Sequence, residues 1–316
     1  VLANFLATLL SGLRAGSPVK LSARISIGMA AHGNAVTTRK ALNDLFSSAA
    51  GDFELILVDD MSADDTLDVY RDARRRHANT RIFSFDSNLE YCQSLNAFLS
   101  HARGDLLLFL SNDIFVNPSY LRQLLKAAAA HPDCGILRGC SNFVDNSSPL
   151  HNIPVDGFST RQAYLDFAAS IARRHRTDKP VDDRFLVGDA FLVSRGVIDR
   201  IGTIDTRFVG YCGDQDFGLR AKIAGFRVAL IRSAFAFHLN HANFSYLPAQ
   251  EQRKKIDARV ARVLAALSTL RAKYAVGQSG SVHDIPWEQL AKQSFDPARH
   301  RVEAGDYSRY LLPAHD

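Results

Sequence analysis

Residues 104–113 read Gly104-Asp105-Leu106-Leu107-Leu108-Phe109-Leu110-Ser111-Asn112-Asp113, a continuous apolar run that stops in three polar residues. A run without alternation reads as a strand buried on both faces, the usual state of a central parallel strand. Polar groups at the carboxyl end of such a strand sit where open α/β sheets bind their ligands. A carboxylate there, Asp113, is placed to hold a divalent cation against a phosphate. The competing reading is a polar turn leading into a helix opened by Asn117-Pro118.

Outward from this run, strands and helices alternate. Strands are expected at 24–30, 53–59, 80–85, 105–111 and 135–139, with helices near 37–49, 64–76, 91–102 and 119–131. This rhythm gives a mainly parallel sheet covered on both faces. After residue 141 the pattern breaks into a loop and a helix over 161–174. Strands follow at 185–194, 226–231 and 234–238, and a helix at 213–224 begins with acids that its macrodipole alone would favour. A long helix over 248–274 carries Ile256, Val260, Val263, Leu264, Leu267 and Leu270 at helical spacing. Its other face is basic, with Arg253, Lys254, Lys255, Arg259, Arg262, Arg271 and Lys273. It reads either as an outer helix packed on the sheet or as a membrane-surface or partner helix. The resulting division is an N-terminal helix or linker over 1–22, a main domain over 23–246 and a C-terminal helical extension over 247–316. The main domain splits into a nucleotide-binding half near 23–115 and an acceptor half near 116–246.

The 316 residues are 47% hydrophobic and carry a formal net charge of +5. That suits an anionic substrate or a membrane surface. Nucleic acid is disfavoured, because no Lys/Arg block is interleaved with aromatics. Cys92, Cys134, Cys140 and Cys212 form no zinc pattern and read as reduced, buried thiols of a cytosolic protein. No apolar run approaches the roughly 20 residues that span a bilayer.

Carboxylates recur at expected strand ends. Asp59 and Asp60 close an apolar strand, and two adjacent buried acids need partners. They suit the imide N–H of uracil or thymine, or ribose hydroxyls. Asn88, Asn96, Asn112 and Asp113 form a second group, and Asp214 and Asp216 a third. The last pair, two apart on a helix, point to different faces and take different roles. His238 and His241 form a fourth group as possible metal ligands.

The order of these groups resembles family 2 glycosyltransferases of the GT-A fold. Val58-Asp59-Asp60-Met61-Ser62-Ala63-Asp64-Asp65-Thr66 is similar to the family's VDDxSxDxT segment. Asn88, Asn96, Gly104-Asp105 and Ser111-Asn112-Asp113 follow its asparagine, GD and DxD series. Gly188–Arg195 looks like its acceptor-side strand, and the stretch from Gly202 through Gly213-Asp214-Gln215-Asp216-Phe217 to Gly225-Phe226 its EDxDLxxR run. The resemblance spans about residues 23–246. Three departures stand out: Ser-Asn-Asp for DxD, Gly213 for the Glu of the ED pair, and Asn88-Leu89-Glu90 without the usual glycine.

The resemblance implies inverting transfer of a sugar from a nucleotide diphosphate, UDP- or dTDP-linked, to a hydroxyl of a saccharide or lipid-linked saccharide. It implies Asp214 as base, and a Mn²⁺ or Mg²⁺ ion held by Asp113 and His238. It also implies a nucleotide pocket around Asp59, Asp60, Asn88, Asn112 and Asp113. The setting it implies is polysaccharide or glycolipid assembly, in the cytoplasm or at the inner membrane face, as a single chain or one module of a larger one. A sugar nucleotidyltransferase would instead carry a glycine- and arginine-rich loop after the first strand, where this chain has Met29-Ala30-Ala31-His32-Gly33-Asn34. A non-catalytic nucleotide-binding or interaction module of the same fold is the remaining alternative.

Overall fold

A computed structural model describes residues 17–22, 24–144, 150–239, 249–277 and 281–314. The helix expected near the N-terminus and His241 lie outside the described residues. In chain order the first half contains β1 (Val19–Leu21), β2 (Ile25–Ala31), α1 (Ala35–Ser48), β3 (Ala49–Gly51), β4 (Glu54–Asp59), α2 (Thr66–Arg76), β5 (Thr80–Ser84), α3 (Glu90–His101), β6 (Leu106–Ser111) and β7 (Ile114–Phe115). Then come α4 (Pro118–Ala130), β8 (Cys134–Ser141), α5 (Arg161–Arg174), β9 (Val181–Asp182), β10 (Ala190–Ser194), α6 (Arg195–Ile201), α7 (Gly213–Ile223) and β11 (Arg227–His238). The C-terminal part holds α8 (Ala249–Tyr274) and the short helices α9 (Trp287–Leu290) and α10 (Pro297–His300).

The main sheet runs β5-β4-β2-β6-β10-β8-β11-β7, with β9 against β11. From β5 to β6 every pairing is parallel, as the βαβ rhythm requires. Beyond β6 the sheet becomes mixed, because β10 enters antiparallel between β6 and β8. The apolar run that opened the sequence analysis is therefore central, with Leu106–Leu110 buried. Gly28 on β2 lets α3 lie close, since a Cβ there would enter the Phe98 ring.

Several expectations need correction. The strand expected over 185–194 begins only at Ala190; the preceding Gly188-Asp189 forms a turn whose Asp189 carbonyl accepts from Ser111 N–H at 2.8 Å. The two strands expected over 226–238 are one strand, interrupted by an irregularity between Ile231 and Phe235 that lets it carry both apolar runs. The apolar residues of α8 do not share one buried face. Leu267 and Leu270 pack into the core, whereas Ile256, Val260 and Leu264 are about half exposed. Lys273 is not on a solvated basic face either; it is buried against Asp205 and Asp216. All four cysteines are buried and free, as expected. Among the described residues no helix is long and apolar enough to cross a membrane.

Asp216 anchors this C-terminal half. Its carboxylate meets Arg220 Nε at 2.7 Å, both groups fully buried, and Lys273 Nζ at 2.5 Å. Tyr274 donates its hydroxyl to the same carboxylate at 2.8 Å. The remaining guanidinium donors of Arg220 go to the Ile201, Thr203 and His300 carbonyls. A buried charge set of this kind persists only when complete, and removing one member leaves the others uncompensated. Asp216→Ala should therefore lower unfolding free energy by about 3–5 kcal/mol in a urea titration. A loss below about 1 kcal/mol, the range of a surface pair, would contradict this role.

Candidate active site

Strand register brings three of the site's side chains together. Antiparallel β10 starts opposite the end of β6, with Ala190 paired to Leu110, so Asp189 lies beside Ser111. At the same edge β11 pairs with β7, and Leu239 N–H donates to the Asp113 carbonyl at 3.0 Å. Asp113 Oδ2 thereby comes to 3.3 Å from His238 Nε2. The other imidazole nitrogen lies 3.0 Å from the Phe143 carbonyl and 3.7 Å from Asp189 Oδ2. Burial opposes charge on His238, but the hydrogen bond and charge of Asp113, then Asp189, prevail and raise its pKa to about 9. Asp189 Oδ1 is held by buried Arg138 at 3.0 Å, and Oδ2 is buried without a hydrogen bond.

Asp113 and His238 are the two residues here that could hold a divalent cation, His238 in its neutral form. Asp113 supplies an oxygen and His238 a nitrogen within one coordination sphere's reach, and the buried Asp189 Oδ2 adds negative potential behind them. Among the described residues no group of three or more His, Cys, Asp or Glu side chains is arranged to hold a metal. Two protein ligands suffice for an ion that takes its remaining ligands from water and phosphate.

Asp214 stands on the first turn of α7. Its Oδ2 accepts from Gly188 N–H at 2.7 Å, and Tyr91 donates its hydroxyl to the Gly188 carbonyl at 2.7 Å. Residue 188 must be glycine, since a Cβ would strike the Tyr91 hydroxyl and lie 2.8 Å from Asp214 Cβ. The departure at Gly213 has a similar cause: a Cβ there would lie 2.6 Å from Cys92 Sγ and 2.8 Å from Ile204 Cγ2. Entry to the helix is made at Cys212, in a left-handed conformation (φ 62°) that is costly for a side-chain-bearing residue. Burial raises the Asp214 pKa to about 6, against the lowering by the Gly188 and Gln215 amides. Asp216, two residues on, faces inward to Arg220, so the two acids do diverge.

A cavity of about 260 Å³ joins Asp214, Asp189 and His238. Tyr91, Gly188, Asp189, Asp214 and His238 line its floor, and Arg259, Val263 and Leu267 of α8 form one wall.

The residues expected around a nucleotide lie along the same sheet edge, at the ends of β4, β2 and β6. Asp59 is buried and accepts from Ser62 N–H at 3.2 Å and Ser84 Oγ at 3.1 Å. Asp60, also buried, accepts from Leu89 N–H at 2.7 Å, and burial raises its pKa. Asn88 is exposed; its Oδ1 accepts from Glu90 N–H, and its amide lies 3.5 Å from His32 Nε2. Asn112 donates to Thr38 Oγ1 at 2.9 Å and the Gly33 carbonyl at 3.3 Å, tying β6 to the start of α1. Asn96 is far from this edge in function: both ends of its amide clamp the Ile204 peptide. Sequence reasoning gave no role at this site to Asp189, Tyr91 or Arg259. Asp189 carries the signal that marked Asp59 and Asp113, an acid at a strand terminus, but at the start of an antiparallel strand.

Residues 26–202, more than half of the chain, match the family model described as glycosyl transferase family 2. The chain is 27% identical over 215 residues to validoxylamine A glucosyltransferase of Streptomyces hygroscopicus subsp. jinggangensis, covering 62% of this chain and 50% of that one. The enzyme of the same name from subsp. limoneus is 29% identical over 215 residues, 62% of this chain and 46% of that one. The chain thus spans about half the length of these curated relatives. Among solved structures it is similar to glucosyl-3-phosphoglycerate synthase from Mycobacterium tuberculosis in complex with Mn²⁺, UDP and glucosyl-3-phosphoglycerate. That match has a TM-score of 0.53 at 14% identity and covers 88% of this chain and 85% of that one. It is also similar to a mannosyltransferase from Pyrobaculum calidifontis in complex with GDP-Man and Mn²⁺ (TM-score 0.51, 15% identity, 91% and 84% covered). These likenesses establish the GT-A fold, and the family match establishes the lineage: the chain belongs to glycosyltransferase family 2.

Proposed function

We propose that this protein transfers a hexosyl or deoxyhexosyl group from a UDP- or dTDP-linked donor to a hydroxyl of a saccharide or lipid-linked saccharide, with inversion. The observation that carries the reading is one cavity lined by both Asp214 and His238, with Asp113 3.3 Å from that histidine. Asp113 and His238 would hold a Mn²⁺ or Mg²⁺ ion, which when bound neutralises the departing diphosphate. Asp214 would take the acceptor proton as its oxygen attacks the anomeric carbon. A pKa near 6 leaves it ionised at neutral pH yet more basic than an ordinary carboxylate. Asp189, held by Arg138, would position His238. Asp60 is the stronger candidate for reading the base or ribose, because both Asp59 oxygens already accept hydrogen bonds within the protein. Asn88 and Asn112 would shape that pocket.

The setting we propose is polysaccharide or glycolipid assembly on the cytoplasmic side, with peripheral membrane contact. Supporting it, Ile256, Val260 and Leu264 form an exposed stripe along α8, flanked by Arg253 and Lys254, on the helix that walls the cavity.

Calorimetric titration of UDP, dTDP and GDP, with and without Mn²⁺, tests the donor side. One nucleotide should bind only with Mn²⁺, and Asp113→Ala should weaken it about 10–100-fold. Failure of all three with Mn²⁺ present would favour the non-catalytic module. The base assignment has a stability signature. A carboxyl whose pKa is raised from 3.8 to about 6 favours folding while protonated and loses that contribution as pH rises through this interval. Asp214→Asn should accordingly raise the melting temperature at about pH 8 more than at about pH 4. Equal shifts at both values would remove the argument for a strained, ionised base.

A further inference from the structure

A second cavity, of about 470 Å³, opens between α4, α5 and the irregular part of β11. It shares no lining residue with the catalytic cavity. Six strong cations from separate segments converge on it: Arg122 and Lys126 from α4, Arg173 from α5, Arg176 and Lys179 from the turn that follows, and Arg232 from β11. Among the described residues lining it, Asp178 is the one carboxylate, and it is already engaged by His175 at 2.9 Å and Arg232 at 3.2 Å.

Several surface arginines elsewhere are paired with carboxylates. Arg39 and Arg75 meet Asp72, Arg227 meets Asp133 and Asp182, and Arg301 meets Glu303. Lys126, Arg173, Arg176 and Lys179 meet no carboxylate within 4 Å among the described residues. A favourable helix dipole accounts for Arg173, in the last turn of α5, but not for the others. Lys126, Arg173, Arg176 and Lys179 are exposed, and gathering them around one concavity builds a positive potential that a bound anion would relieve. Ser119, Gln123 and Ser233 add neutral polar groups, and alanines of α4 and α5 with Ile231 supply apolar lining.

We propose that this cavity is a second anion site, taking a phosphoryl group with two or more negative charges, of the size of pyrophosphate or a sugar phosphate. The reading is independent of the catalytic assignment. Guanidinium forks match phosphate oxygens in pairs, and each charge-assisted hydrogen bond lost weakens binding about tenfold or more.

The test is calorimetric titration of inorganic pyrophosphate into the full chain, with EDTA present to silence any metal-dependent binding at Asp113. One site is expected, weakened at least about tenfold by Arg173→Glu combined with Arg176→Glu and unmoved by Asp113→Ala. Arg174→Glu, on the same helix but outside the cavity, should change affinity less than about twofold. Circular dichroism melting confirms that the variants fold. Absence of binding, binding unaffected by the double substitution, or equal weakening by Arg174→Glu would each overturn the proposal. A parallel sedimentation with phosphatidylglycerol vesicles separates a free phosphate from a headgroup. Vesicle binding without pyrophosphate binding would also overturn it, in favour of a lipid-facing surface.

Discussion

The antiparallel insertion of β10 between β6 and β8 is the constraint on which the rest of the site depends. A strand as apolar as β6 must be paired along both edges, because an unpaired backbone group in the core is costly. One edge is taken by β2 in parallel. The other is taken by β10 running the opposite way, which sets the first residues of β10 against the last of β6. Asp189 therefore arrives next to Ser111, and Gly188 next to Asp214, without any loop having to reach across the molecule. The short β7–β11 pairing completes the set by bringing His238 to Asp113. Hydrogen-bond registry, a rigid element, thus positions the groups to which chemistry is assigned.

The same edge gathers many carboxylates, and their partners separate scaffold from chemistry. Asp216 is neutralised by Arg220 and Lys273, and Asp205 by Arg207 and Lys273, whose hydrogen bonds hold its pKa far below the usual range despite burial. Asp59 is held by an amide and a hydroxyl. Asp214 is as buried as these but has only backbone amides for partners, and its pKa moves the other way. A buried acid without a cation is expensive for folding. Asp214 also lines the cavity, where the proposed function makes use of it.

Much of this was legible in the sequence, for identifiable reasons. The helices over residues 35–48, 66–76, 90–101 and 118–130 fall within two residues of expectation, because apolar periodicity marks them, and a side-chain cap at Asn117 adds to it in the last. Apolar runs ending in acids located Asp59 and Asp113 at strand ends. Failures cluster where pairing is non-local. Strand direction leaves no mark on composition, so the antiparallel entry of β10, and with it the placement of Asp189, could not be read. The periodicity of α8 marked a helix but not which apolar residues would face the core. That division depends on where the Asp216 cluster docks Lys273 and Tyr274. Gly213 read as a lost acid, and the nearness of Cys92 and Ile204 shows why a side chain is excluded.

The central claim, that Asp214 removes the acceptor proton in a cavity shared with His238, is tested most directly by single-turnover consumption of the cognate nucleotide sugar. The account predicts that Asp214→Asn binds the donor as the parent protein does but transfers sugar about 10²–10⁴-fold more slowly. Transfer at the parent rate, or a loss traced entirely to weaker donor binding, would contradict it.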